Sequence, residues 1–217
     1  MYTISIDGAC RRNGAANCVA AGGAYIYGKD RHEFLSNYEI GSTSQRGEML
    51  ALIDALQYIK QHPDDEVHII TDSEYLFNAL TKEWYVGWMR RNWLTSLMEP
   101  VKNRDMWEKV VGLLREIDTE ILFYHVKGHC IPFGKVTANK LLSADATGLT
   151  LKAEVEDKFI KVLYSDKADK LEAARELSIK NNGFTLEDNT LKRFVVMNVM
   201  ADIAANRCVD AADALMV

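Results

Sequence analysis

The sequence predicts an α/β fold: a mixed five-stranded sheet, three strands antiparallel and two parallel, flanked by helices in three layers and carrying a helical insertion. Three observations predict it. Within the first forty residues, 2–7 alternate in strand fashion and two further strand-like stretches flank a turn at 28–30, which reads as an antiparallel meander. From residue 44 to residue 126, helical periodicity alternates with short apolar runs, the pattern of βαβ crossovers. Beyond residue 130 the chain turns to Ala, Leu, Lys and Glu and shows no clear strand.

Residues 2–7 form the first expected strand, with Ile4 and Ile6 on one face. Residues 19–27 and 34–40 supply two more around a turn at 28–30. A helix is expected over 44–61, because Leu52, Ile53, Leu56 and Ile59 recur at helical spacing and Pro63 stops the run. The apolar stretch 66–71 is a fourth strand and 73–80 a helix behind it. A helix over 104–116 and a fifth strand over 120–126 follow. One or two helices are expected over 153–180 with a C-cap at 181–183, then a last helix over 191–206.

Composition limits the function classes. With 217 residues and 48% hydrophobic residues, the chain is long enough to bury a full core, which excludes wholesale disorder. No apolar run approaches the ~20 residues of a membrane-spanning helix. The four cysteines, Cys10, Cys18, Cys130 and Cys208, lack zinc-site spacing, and no signal-like segment opens the chain. A reduced, cytoplasmic protein is expected. The net charge of −5 argues at first sight against a nucleic-acid partner, whose binders are usually basic.

Three acids stand where acids are costly. Asp7 and Asp72 end apolar strands, and Glu48 shares a helix face with Leu52, Ala55 and Ile59. A buried charge pairs, protonates or binds metal. Ligands in open α/β sheets collect at the carboxyl ends of strands, so these three acids are placed to converge. Carboxylates without His or Cys neighbours suit Mg²⁺ or Mn²⁺. Singly, each has an ordinary explanation: a strand-end Asp is common turn chemistry, and Asp72-Ser73 is a plausible helix cap.

Six stretches carry a resemblance: IDGACRRNG (6–14), RGEMLALIDAL (46–56), TDSEYLFNAL (71–80), WYVGWMRRNW (84–93), PVKNRDMW (100–107) and HVKGH (125–129). In this order and spacing the chain resembles type 1 ribonuclease H, with that family's basic protrusion and a long insertion before the last catalytic Asp. The resemblance implies a ribonuclease H-like fold and hydrolysis of the RNA strand of RNA–DNA hybrids by a two-metal mechanism, giving 5′-phosphate and 3′-hydroxyl ends. It implies two Mg²⁺ ions, with Mn²⁺ as a substitute, held by Asp7, Glu48, Asp72 and a fourth acid. Asn198-Val-Met-Ala-Asp202 matches the family's pattern for the fourth, about 70 residues late. Asp202 is therefore expected, with Asp145, Asp210 and Asp213 as alternatives. His129 matches the family's mobile histidine, which assists proton transfer or product release.

The same resemblance places Cys10, Asn13, Ser44, Gln45 and Glu74 around the sugar 2′-hydroxyls. Ser44 and Gln45 depart from the family's usual Asn pair, and Glu74 from its frequent Gln. Thr43 matches the phosphate-pocket Thr, and Asn198 joins the substrate-contacting set. Trp84, Trp88, Arg90 and Arg91 fall in a segment, 84–104, of local charge +3, suited to stacking and phosphate contacts. The implied organisation is a catalytic domain, 1–129 and 198–217, interrupted by a mainly helical insertion, 130–197, which is nearly neutral and contacts substrate or a protein partner. A monomer acting on a hybrid duplex, without a membrane, is expected. The competing readings are a DNA exonuclease or junction resolvase on the same sheet, a non-catalytic hybrid-binding module, and a plain structural domain that would leave the three acids without purpose.

Overall fold

The computed structural model describes residues 1–28, 31–126, 128, 142–145, 148–151, 176, 179–180, 182 and 188–215. Strands β1 (Tyr2–Arg11), β2 (Val19–Gly28) and β3 (Arg31–Ile40) form an antiparallel meander. Helix α1 (Ser44–Gln61), strand β4 (Glu66–Thr71), helices α2 (Glu74–Thr81), α3 (Trp84–Arg90) and α4 (Arg104–Glu116), and strand β5 (Glu120–His125) follow. The sheet order is β3-β2-β1-β4-β5, with β4 parallel to both β1 and β5. This is the expected mixed five-stranded sheet.

Helix α5 (Asp188–Ala214) lies across β1, β2 and β3, while α1 packs on β1 and β2 and against α4. The main core fills the space between the sheet and α1, α2 and α4, around Ile4, Ile6, Leu52, Leu56, Ile69 and Trp107. A smaller core of Ala9, Val19, Ala21, Ala205, Val209 and Ala212 joins α5 to the sheet. Small side chains there let the helix approach closely. A Cβ on Gly23 would overlap the backbone of Ala201 and Ala205, and one on Gly8 would overlap the backbone of Glu48. These two glycines set how deep α5 and α1 sit, and with them the acids those helices carry.

Helix α1 starts at Thr43, whose side chain accepts from Arg46 N at 3.4 Å. The Arg46 guanidinium then makes paired bonds to Glu39 at 2.7 and 2.9 Å and to Asp105 at 2.9 and 2.8 Å. One side chain thereby ties β3 and α4 to α1.

Several elements depart from the expected bounds. β1 runs on to Arg11 and β3 begins at Arg31, because strand pairing continues through polar residues that break the alternation. Helix α3 is additional. A short antiparallel pair, β6 (Leu142–Asp145) and β7 (Gly148–Leu151), corrects the expectation that 130–197 holds no strand. Four-residue strands offer too few positions for alternation to register. Helix α5 extends the expected 191–206 at both ends. The proposed helices over 153–180 and their cap lie almost entirely outside the described residues, as does part of the 28–30 turn. Among the described residues no helix is long and apolar enough to cross a membrane.

Candidate active site

Parallel pairing brings the first two acids together. Ile6 stands in register with Thr71, so Asp7 in β1 and Asp72, just past β4, emerge side by side. Glu48 comes down from α1 beside them. Asp7, Glu48 and Asp72 each offer a carboxylate oxygen within 4.8 Å of the others. Asp7 is buried and its Oδ1 accepts from Gly8 N at 2.7 Å. Glu48 Oε2 is wholly buried with no hydrogen-bond partner among the described residues.

This arrangement is electrostatically costly. Burial, then the charges of Asp72, Glu48 and Asp202, hold the Asp7 carboxyl well above the usual range. Burial first, and Asp72 second, push Glu48 up to about 8. The charge of Asp202 on α5 also acts on both groups, from outside the three acids whose oxygens lie within 4.8 Å of one another. An orphaned buried carboxylate oxygen among crowded acids is the donor set of a hard divalent cation, so the residues fit such an ion.

Two of the alternatives to Asp202 are engaged elsewhere. Asp210 accepts from Arg11 and Asp213 from Arg12. Asp145 ends β6, paired with Gly148 in the small hairpin. Helix capping falls to Ser73, which accepts from Leu76 N at 3.4 Å, and leaves the Asp72 carboxylate out of that role.

The structure also places residues to which the sequence assigned no part. His125, buried at the end of β5, donates from Nε2 to the Asp72 carbonyl at 3.1 Å, and burial lowers its pKa. A carbonyl only accepts, so Nε2 carries a proton. Gly128 lies against Asp72: a Cβ there would overlap the carboxylate. The Asn182 amide accepts from His125 N at 2.9 Å and donates to His125 O at 3.1 Å, as a neighbouring strand would. His129 lies outside the described residues.

Around the cluster, the expected substrate contacts divide. Asn13 and Ser44 meet, with Asn13 Nδ2 donating to Ser44 Oγ at 3.4 Å and Ser44 N to Asn13 Oδ1 at 3.3 Å. Gln45 Oε1 accepts from Asn103 at 3.0 Å. Thr43, Ser44, Glu74, Arg90 and Arg91 are exposed. The Cys10 thiol turns to Cys18, 2.7 Å from its Sγ, rather than outward. Two expectations are corrected. Trp88 is only 9% exposed and packs edge-on against Trp107, so it belongs to the core; Trp84, edge-on to Trp88, is 38% exposed. Asn198 is buried at 3%, because its turn of α5 faces the sheet, and it does not reach the surface.

A mixed sheet with carboxylates converging at the ends of its parallel strands defines a divalent-metal nuclease. The RNase H family model matches residues 1–147, and the chain belongs to the RNase H family. It is 35% identical over 127 residues to the ribonuclease H of Clostridium botulinum (strain Hall), covering 58% of this chain and 82% of that one. It is 36% identical over 138 residues to the ribonuclease HI of Rickettsia prowazekii (strain Madrid E), covering 64% and 86%. Among solved structures it is similar to LC9-RNase H1, a type 1 RNase H with the type 2 active-site motif, at TM-score 0.53 and 20% identity over 71% of this chain and 79% of that one. The family match ends ahead of Asp202, so that acid's part rests on its position in the fold.

Proposed function

We propose that this chain is an endoribonuclease that hydrolyses the RNA strand of RNA–DNA hybrids, leaving 5′-phosphate and 3′-hydroxyl ends. The observation that carries the reading is the convergence of Asp7, Glu48 and Asp72 within 4.8 Å, in a chain of the RNase H family. Asp7, Glu48, Asp72 and Asp202 would hold two Mg²⁺ ions, for which Mn²⁺ can substitute. When bound, such ions activate the attacking water and steady the departing 3′-oxygen.

The chain's own residues do the rest. The Asn13–Ser44 contact, with Gln45 next to Ser44 and exposed Glu74 just past Asp72, offers polar groups suited to a minor groove and its 2′-hydroxyls. Exposed Trp84, with Arg90 and Arg91 at the end of α3, offers a stacking face and phosphate contacts for the DNA strand. His129 assists proton transfer or product release. Residues 130–197 would be an insertion that contacts substrate or a protein partner; within it, Asn182 bonds to His125 beside Asp72.

The test uses labelled RNA–DNA, RNA–RNA and DNA–DNA duplexes with Mg²⁺ or EDTA. The expected result is metal-dependent cutting of the RNA strand of the hybrid, with Asp72→Asn still binding hybrid but not cutting it. Full activity of Asp72→Asn in Mg²⁺, or cutting in EDTA, would overturn the metal-site reading.

A further inference from the structure

We propose that Arg11 and Asn206 form a positioning relay that holds the Asp202 carboxylate in the orientation a divalent cation requires. The inference rests on the reading of Asp202 as a metal ligand and extends it to two residues outside the acid cluster.

The relay is read from hydrogen bonds. Asn206 stands one turn after Asp202 on α5, and its Nδ2 donates to Asp202 Oδ1 at 2.6 Å and to Asp202 O at 3.0 Å. Its Oδ1 accepts from Arg11 Nη2 at 3.1 Å. Arg11 is itself anchored, with Nε and Nη2 donating to Asp210 Oδ1 at 3.0 and 2.7 Å. Asp202, Asn206 and Asp210 thus form one stripe of α5, and the last residue of β1 lies along it.

The direction of each bond follows from donor inventory. A guanidinium only donates and an ionised carboxylate only accepts. Set between them, the Asn206 amide has one satisfying orientation: carbonyl to Arg11, NH₂ to Asp202. Without Arg11 the amide is free to turn over and present its carbonyl oxygen to the carboxylate, which repels it. Arg11 therefore sets the polarity of the amide that holds Asp202.

Charge explains why an amide serves here. A lysine or arginine at 206 would also grip Asp202, but it would cancel the charge that attracts a cation. The neutral amide orients the carboxylate and leaves its charge intact. The positive charge of Arg11 is offset by Asp210, so the relay delivers geometry to the site with little net charge. Hydrogen-bond partners of metal-binding carboxylates typically change metal affinity by about 10–100-fold when removed.

Calorimetric titration of the full chain with Mn²⁺, without substrate, tests the relay in the unsubstituted protein and in Asp202→Asn, Asn206→Ala, Arg11→Met and the Asn206→Ala/Arg11→Met double variant. Circular dichroism in EDTA checks the fold of each. Asn206→Ala is expected to weaken Mn²⁺ binding about tenfold. Arg11→Met should weaken it several-fold, and the double variant should bind no more weakly than Asn206→Ala, because the two residues act in series. In activity assays the Mg²⁺ concentration for half-maximal rate should rise, with the KM for hybrid at saturating Mg²⁺ unchanged. Unaltered affinity in Asn206→Ala and Arg11→Met, alongside weakened binding in Asp202→Asn, would overturn the relay and leave Asp202 as a ligand. Unaltered affinity in Asp202→Asn would overturn that reading and the relay with it. Should Asn206→Ala lose its native dichroism, Arg11→Met decides, since Arg11 is partly exposed and its loss leaves the core untouched.

Discussion

Gly23 stands opposite Asp7 in the β1–β2 ladder, and the space left by its missing side chain is where the backbone of α5 descends. Register partners in an antiparallel pair face the same side of the sheet. The glycine that admits α5 is therefore the neighbour of the acid that α5 must reach with Asp202. Gly23→Ala drives a methyl into the backbone of Ala201 and Ala205, which cannot swing aside as a side chain can. A loss of about 2–3 kcal/mol is expected in urea unfolding, with weaker Mn²⁺ binding in the folded fraction. Unchanged stability would show that α5 is not held at this depth.

Asp7→Asn should separate stability from activity. The substitution keeps the shape of the side chain and removes one of the crowded charges. Metal-free stability should rise by about 1–2 kcal/mol, the usual return on relieving an active-site conflict. Hybrid cleavage should vanish. Added Mg²⁺ should stabilise the unsubstituted chain, by about 2.7 kcal/mol at a hundred times its dissociation constant, and the variant much less. Thermal melts in EDTA and in Mg²⁺ measure both effects; an Asp7→Asn chain less stable than its parent in EDTA would contradict the electrostatic account.

Arg46 gives a pH dependence of known sign. Its bonds lower the Glu39 and Asp105 carboxyls below their ordinary values, which lie near ~4. A carboxyl whose folded value is depressed contributes stability above its unfolded value and loses it as pH falls through the folded one. Asp105 is 57% exposed, so the contribution is small, about 1 kcal/mol for the pair of bridges. Arg46→Met should lose this much at pH 7. The gap in urea midpoint between the two proteins should close by pH 2–3; a gap that persists there would assign the effect to packing.

The two neighbouring tryptophans should answer differently to truncation. Trp88→Ala removes a core ring packed on Trp107 and should cost about 3–5 kcal/mol. Trp84→Ala should leave unfolding nearly unchanged and raise the KM for hybrid several-fold. Equal effects on stability would mean that Trp84 is also a core residue.

Much of the fold was legible because its signals are local. Alternation in the meander, the period of Leu52, Leu56 and Ile59, and the apolar run before Asp72 each lie within one element. The three acids were legible for the same reason: each is an acid in an apolar setting. Trp88 misled, because a Trp beside arginines looks the same in sequence whether its ring faces a groove or Trp107. The short strands β6 and β7 fell below the length at which alternation shows. The Arg11–Asn206 bond joins residues 195 apart and leaves no periodic trace. His125 was visible within its motif, but only the fold brings its ring to the Asp72 carbonyl.

The position of α5 after every strand of the main sheet also sets a timetable. A chain leaves the ribosome N-terminus first, at roughly 5–20 residues per second. All five strands of the main sheet, and with them Asp7, Glu48 and Asp72, are synthesised before α5 begins at Asp188. The nascent chain can thus build its sheet with a three-sided acid cluster. The fourth side arrives with the last helix, when Ala201 and Ala205 settle over Gly23. A chain that stopped before Asp188 would carry the sheet and the three acids without Asp202.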